Sequence, residues 1–123
     1  MFVINEDLTI ECTRGDAAVF SVSANLNNSA YEFREDDVVR FSVCEKKDYS
    51  TVVLQKEVTV EESGEAVEIF LDSEDTKIGE GINKATEYWY EVEVNTDNKW
   101  QTIIGHDSNG AKKFILYPEA QGV

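Results

Sequence analysis

The residues of this chain that are able to carry out chemistry are few and scattered. Its one histidine, His106, lies in the loop "GHDSNG", beside Asp107 and Ser108. A nucleophilic triad needs its histidine aimed at a nucleophile and held by a third, orienting group. Adjacent residues of a turn seldom point at one substrate atom, so we interpret His106 as a turn residue without a catalytic role. The sequence therefore predicts a protein that is not an enzyme.

Carboxylates, in contrast, are abundant. The chain carries 25 Asp and Glu residues against 11 Lys and Arg residues, for a net charge of −14. Their pairs, such as Glu61-Glu62, lie in polar loops, whereas general acid catalysis requires one carboxyl group desolvated in a cleft. "DSED" at 72–75 and "DSNG" at 107–110 offer oxygen ligands without the spacing of an EF-hand calcium loop. No Cys/His spacing fits zinc and no glycine-rich loop fits a phosphate, so we expect neither a metal ion nor a cofactor.

The negative charge also restricts the partners. An acidic surface repels phosphate backbones and anionic lipid headgroups, which disfavours nucleic acid and membrane surfaces as ligands. The N-terminal segment "MFVINEDLTIEC" has no basic start and no apolar run of signal-peptide length. No stretch approaches the roughly 20 apolar residues of a bilayer span. We therefore expect a protein made in the cytoplasm without a signal peptide.

The tripeptide Arg14-Gly15-Asp16 has two interpretations. Integrin ligands display this sequence on exposed loops, but a three-residue motif also matches often by chance. The flanking alternating runs end at Thr13 and resume at about Ala17, which leaves a three-residue connection between two strands. Glycine adopts a positive φ without steric cost, and an aspartate accepts hydrogen bonds from the backbone N–H groups that follow it. We expect a tight turn with Gly15 at positive φ; the adhesion hypothesis also needs an extracellular route.

The elements that position these residues are β-strands, because the dominant hydrophobic period of the chain is two. The clearest run is "EYWYEVEV" at 87–94, in which aromatic and branched residues alternate with glutamates and Trp89. Similar runs, rich in β-branched and aromatic residues, are separated by polar turns such as "REDD", "EESGE" and "NTDN". About nine strands with short loops predict an all-β sandwich or barrel in a single domain, 1–123.

One segment departs from this alternation. In "DSEDTKIG", Ser73 has the side chain of a helix cap, with Asp75 two residues behind it. We expect one short helical turn near 73–78, with Ile78 packed onto the edge of the sandwich.

The two cysteines are predicted to remain free thiols. Cys12 shares the inward face of its run with Ile10. Cys44 lies in another run, on the polar face that also carries Arg40 and Ser42. Side chains on different faces are poorly placed for a disulfide.

Two tryptophans are the predicted contacts with a partner. Trp89 stands in the outward register of its run, among the glutamates at 87, 91 and 93. A large aromatic residue in such a position is more often covered by a loop or a neighbouring chain than left bare. We expect Trp89, and with it Trp100, to mark a protein contact.

The order of the motifs along the chain resembles a known family. The chain runs "RGDAAVFSVSA", "REDDVVRFSVCEK", "VVLQKEV", "VEIFLDSEDTKIGEG", "EYWYEVEV", "KWQTIIG" and "FILYPE". This series is similar to that of small proteins and N-terminal domains of upper baseplate or tail-fibre proteins from bacteriophages and prophages of Gram-positive hosts. The matching positions span roughly residues 8 to 119 and are Arg14, Gly15, Asp16, Phe20, Asp37, Val39, Phe41, Val43, Lys56, Ile69, Leu71, Asp75, Thr76, Tyr88, Tyr90, Val92, Thr102, Gly105, Pro118 and Glu119.

The chain also departs from the family pattern at three places. Asp36 stands where the family has glycine, and Ala17 stands where it has threonine. The segment from Gly79 to Thr86 is longer than the usual link. Because the matching positions are mostly ones that determine the fold, they bear on architecture more than on role.

The resemblance implies an immunoglobulin-like antiparallel β-sandwich of about seven to nine strands. It implies a non-enzymatic structural or adaptor protein of the virion, with other phage structural proteins as partners and a homo-oligomer as the assembled state. The residues Arg14, Gly15, Asp16, Asp37, Asp75 and Thr76 are then expected to form structural turns. The alternative is a carbohydrate- or receptor-binding sandwich, in which Trp89, Trp100, Tyr88 or Tyr117 stacks on sugar rings.

Overall fold

A computed structural model of the chain describes residues 1–26, 28–79 and 82–120. Within these residues the chain forms eleven β-strands and no α-helix, so the all-β prediction is confirmed. The strands are β1 (Phe2–Ile4), β2 (Ile10–Thr13), β3 (Ala18–Val22), β4 (Asn25–Leu26), β5 (Ser29–Ala30), β6 (Val38–Cys44), β7 (Val52–Thr59), β8 (Val67–Leu71), β9 (Thr86–Thr96), β10 (Lys99–Ile104) and β11 (Lys112–Tyr117).

The strands form a large sheet, a small sheet and a short hairpin. The large sheet has seven strands in the order β1-β2-β11-β9-β6-β7, with β10 paired to the second half of β9. Its pairings are antiparallel except the one between β2 and β11, which is parallel. The small sheet pairs β3 with β8, and β4 pairs with β5 in the hairpin. The small sheet and the large sheet enclose the core as a sandwich.

The core follows from the alternation of each strand. In β9, the inward residues are all buried, and they are Tyr88, Tyr90, Val92 and Val94. Phe41 of β6 lies at the centre, with its ring centroid 5.3 Å from that of Phe20 in the small sheet. The rings of Tyr90 and Phe114 lie 5.6 Å and 6.4 Å from it. Burying such a side chain stabilises a fold by about 1.5–3 kcal/mol, so this aromatic group holds the two sheets together.

The strand count exceeds the predicted number. β1 and the β4–β5 hairpin were not expected, because segments of two or three residues are too short to show a full alternation. Within the run "TVVLQKEVTV", Val52–Thr59 forms the single strand β7.

The short helical turn expected near 73–78 is replaced by successive β-turns with i→i+3 hydrogen bonds. The cap is Asp72 and not Ser73, so that part of the prediction is wrong. The Asp72 carboxylate accepts a hydrogen bond from the backbone N–H of Asp75 (3.0 Å), and the Asp75 carboxylate accepts one from the N–H of Asp72 (2.8 Å). Because the two aspartates satisfy each other's backbone, no helical hydrogen bond is needed there. Ile78 is buried behind the turn.

Candidate functional site

Arg14-Gly15-Asp16 forms a turn between two strands of different sheets. The backbone N–H of Asp16 donates to the carbonyl of Thr13 (3.1 Å), and Gly15 has a φ of 86°. Only glycine adopts this left-handed conformation without steric cost. The turn is not a hairpin, because β2 belongs to the large sheet and β3 to the small one. The turn carries the chain from the large sheet to the small sheet.

The arginine of this turn points into the protein. The Arg14 side chain is 10% exposed, and its guanidinium forms an ion pair with Glu119. It also donates hydrogen bonds to the carbonyls of Ile78 (3.3 Å) and Gly79 (2.9 Å). An adhesion signal requires a guanidinium that is free to reach a receptor. The geometry therefore favours the turn interpretation over the integrin interpretation.

Thr76 joins this turn to the segment that follows β8. Its side chain is fully buried. The hydroxyl donates to the carbonyl of Asp16 (2.8 Å) and accepts from the N–H of Gly15 (2.9 Å). Backbone groups taken from water cost free energy unless they are paired, so this one hydroxyl satisfies two groups of the turn.

An ion pair adds β7 to the same region. The Lys56 ammonium lies 2.9 Å from the Asp75 carboxylate, and both side chains are less than one third exposed. Burial alone raises the pKa of Asp75, but the backbone N–H of Asp72 and the charge of Lys56 outweigh it and hold that pKa below its usual value. The Lys56 ammonium and the N–H of Asp72 both contact the same oxygen, Oδ2, of the Asp75 carboxylate.

These contacts define one network, which we call the turn cluster. Its members come from four separate segments of the chain and are Arg14, Gly15, Asp16, Lys56, Asp75, Thr76 and Glu119. The fold thus brings together residues that are up to 105 positions apart.

Asp37, another predicted turn residue, lies outside the turn cluster, before β6. It is buried, and its carboxylate accepts hydrogen bonds from the N–H of Arg34 (3.0 Å) and the hydroxyl of Tyr31 (3.1 Å). The preceding Asp36 has a φ of 76°. This is the position at which the family pattern has glycine, and glycine adopts such a φ without steric cost.

Trp89 lies on the outer face of the large sheet, where it is only partly exposed. It pairs in register with Cys44, which is buried to 1% exposure, and burial raises the pKa of that thiol to about 11. The hydroxyl of Tyr49 in the loop after β6 accepts a hydrogen bond from the N–H of Lys112 in β11 (3.3 Å). Since β9 lies between β6 and β11, this loop passes over β9 and shields this part of the face.

Trp100 lies on the same sheet, at the start of β10, and is 39% exposed. The guanidinium carbon of Arg40 lies 3.9 Å from the centroid of its ring. Arg40 also forms ion pairs with Glu57 (2.8 Å) and Glu93 (3.9 Å). A cation over the ring occupies one face of the indole, which leaves only the other face for a ligand or partner.

In the acidic loop around His106, the carboxylate of Asp107 is held by protein donors. The Asp107 carboxylate lies 2.6 Å from the Lys112 ammonium and accepts a hydrogen bond from the N–H of Asn109 (2.8 Å). The charge of Lys112 and these hydrogen bonds lower the pKa of Asp107. Across residues 1–26, 28–79 and 82–120, no group of His, Cys, Asp and Glu is arranged to hold a metal ion. No helix in the same ranges could span a membrane.

Seven exposed apolar residues in the described part of the chain were not among the predicted contacts, and they are Met1, Val3, Ile4, Val19, Val52, Val53 and Phe70. Two of them lie opposite each other on the small sheet. Val19 and Phe70 are register partners on the outer face of the small sheet, and they are 53% and 58% exposed. Each is a large apolar residue in the outward register of its strand. The alternation that places Trp89 on an outward position also places Val19 and Phe70 on outward positions, so the sequence pattern already indicated these two residues as contacts.

No protein-family model, no curated protein and no solved structure matches this chain. The arguments for its function are therefore the geometry of these regions and the order of its sequence motifs.

Proposed function

We propose that the protein is a non-enzymatic structural or adaptor protein of a phage or prophage, similar to the N-terminal domain of tail baseplate proteins. Its sandwich would then be immunoglobulin-like. The turn cluster is the observation that carries the proposal. Its residues were matched as four separate short motifs, and hydrogen bonds and ion pairs of the fold link these motifs to one another.

The free strand edges support an assembly role. In the strand order, β3 and β8 each have one neighbour, and β1 and β7 end the large sheet. Unpaired edges are templates for adding a strand from another chain. A homo-oligomer or a ring of adaptor subunits would use such edges.

The chemistry of the described residues also fits a structural role better than a catalytic one. The carboxylates of Asp75 and Asp107 are each paired with a lysine. A carboxylate that is stabilised in its charged form is a poor general acid at neutral pH. His106 is exposed in its loop.

Binding to other tail proteins is the direct test. The proteins encoded on either side of this gene would be produced and mixed with it, and complexes would be measured by size exclusion with light scattering. We expect a stable complex with at least one of them, or a defined homo-oligomer. A strict monomer at high concentration that binds none of them would contradict the proposal.

The carbohydrate-binding alternative rests on Trp100, whose indole is partly exposed. One face of that ring is already covered by Arg40. A glycan array separates the two functions, because sugar binding that is lost in Trp100→Ala would favour the alternative.

A further inference from the structure

Lysine and arginine are distributed unevenly over the molecule. Neither residue occurs between Gly15 and Phe33 or between Glu57 and Thr76. These two segments contain β3, the β4–β5 hairpin and β8, that is, the whole small sheet and its connections. They carry ten acidic residues, which are Asp16, Glu32, Glu57, Glu61, Glu62, Glu65, Glu68, Asp72, Glu74 and Asp75. These two segments therefore contribute only negative side-chain charge, although cations from elsewhere in the chain pair with some of it.

Part of this charge has no counter-charge from the protein itself. Lys56 neutralises Asp75, and Arg40 neutralises Glu57. Four exposed glutamates around β8 form no ion pair within the described part of the chain, and they are Glu61, Glu62, Glu65 and Glu68. We call these four the glutamate rim.

The apolar pair Val19 and Phe70 lies on the strands next to this rim. Glu68 and Ser21 form the neighbouring register pair on the same outer face. An exposed aromatic residue with a polar surround is a usual composition of a binding hot spot, in which the apolar centre carries most of the binding energy, the surround excludes water and rim charges steer the partner.

We infer that the outer face of the small sheet docks a basic partner protein, with an apolar side chain on Val19 and Phe70 and with Lys or Arg residues on the glutamate rim. This inference rests on the proposed assembly role and specifies its surface. The negative charge of this face determines which kind of partner it binds. Nucleic acid and anionic lipid are repelled, and a second copy of the same face would bring one acidic rim against another.

The outer face of the small sheet is too small to form a whole interface, which agrees with a role for the glutamate rim. Two paired strands of five residues offer a surface of about 16 Å by 10 Å. A specific interface buries about 800 Å² on each partner, which is several times more. The partner must therefore extend beyond the apolar pair, toward Glu68 and the glutamates that precede β8.

The experiment uses the full chain and the recombinant proteins encoded by its neighbouring genes, each immobilised for an interferometry measurement. Three variants are compared with the wild type: Val19→Ser with Phe70→Ser, Glu61→Lys with Glu62→Lys, and Gln101→Ala, at an exposed residue of β10, as the control on the other sheet. A second control, Glu6→Lys, reverses an exposed charge in the turn between β1 and β2. Circular dichroism confirms that each variant is folded.

We expect the apolar double variant to weaken binding by about tenfold or more, as hot-spot residues do. The charge reversal and added salt should slow association, because rim charges act mainly on the association rate. Both controls should bind as the wild type does. Binding that is unchanged in both face variants would overturn this inference and leave the assembly role intact. If no tail protein binds the wild type, this inference is contradicted, and the assembly role is contradicted as well if the chain is also a strict monomer.

Discussion

The turn cluster and the outer face of the small sheet differ in how far their side chains are paired by contacts within the chain. In the turn cluster, Thr76 is fully buried and its hydroxyl bonds two backbone groups, while Arg14 reaches three acceptors. No buried side-chain nitrogen or oxygen among the described residues lacks a hydrogen-bond partner. On the small sheet, Val19 and Phe70 remain exposed and the glutamate rim has no cations.

This difference separates residues that hold the fold from residues that are free to bind. Substitution in a closed network leaves partners unsatisfied and lowers stability. Substitution at an exposed residue without contacts changes stability little, so selection on it must act through something outside the domain. The two regions should therefore respond in opposite ways to mutation.

Within the turn cluster, the largest effect is expected at Thr76. Thr76→Val keeps the shape of the side chain but removes the hydroxyl that pairs with Gly15 and Asp16, so the free energy of unfolding should fall by about 1–3 kcal/mol. Urea denaturation measures it. Thr59→Val, at an exposed threonine of β7, is the matched control and should change stability by less than about 0.5 kcal/mol. Equal losses at both threonines would show that the turn cluster is not a closed network.

Asp36 sharpens the comparison, because its backbone is constrained while its side chain is exposed. At its φ of 76°, Asp36→Gly should be at least as stable as the wild type, and Asp36→Ala should be less stable than Asp36→Gly by about 1 kcal/mol. Glu35, the neighbouring exposed residue, has no positive φ. There the order should reverse, with Glu35→Ala more stable than Glu35→Gly. The same order at both positions would contradict the backbone explanation. Thermal unfolding of the four variants measures it.

Alternation was sufficient to predict the strands that are long enough to show it. β9 places four buried residues on one side over eleven positions, and any other register would expose them. β1 is three residues long, and β4 and β5 are two residues long each. Strands of this length are too short to show an alternation of apolar and polar residues in the sequence.

The turn cluster could not be assembled from the sequence. Glycine at position 15 predicts a turn by its own conformational freedom, but the acceptors of Arg14 lie 64, 65 and 105 residues away. Adjacent Asp72 and Ser73 are both able to cap a turn, and the contact that distinguishes them is with Asp75. Which partner a polar group finds depends on the strand order, and the parallel pairing of β2 with β11 was not predictable from hydrophobic period.

The ion pair of the turn cluster makes its contribution dependent on pH. The folded-state pKa of Asp75 lies below its ordinary value of 3.8. The stability that this carboxylate adds is therefore complete above about pH 4 and is lost as the pH falls through the lower, folded-state pKa. Asp75→Asn and Lys56→Met should both lose less stability between pH 6 and pH 3 than the wild type does, as urea midpoints would show. If both variants lose as much stability between pH 6 and pH 3 as the wild type does, the acid sensitivity comes from other carboxylates.

The smallest effect on stability is expected on the small sheet. Val19→Ser with Phe70→Ser should change the free energy of unfolding by less than about 0.5 kcal/mol per residue, because both side chains are more than half exposed. Ile69→Ala, at the buried residue between β8's two outward positions, should cost about 2–5 kcal/mol. A loss above about 1 kcal/mol in the outward pair would mean that the domain itself uses this face. A stable double variant that no longer binds its partner would instead show that these two residues are kept apolar for an interaction outside the chain.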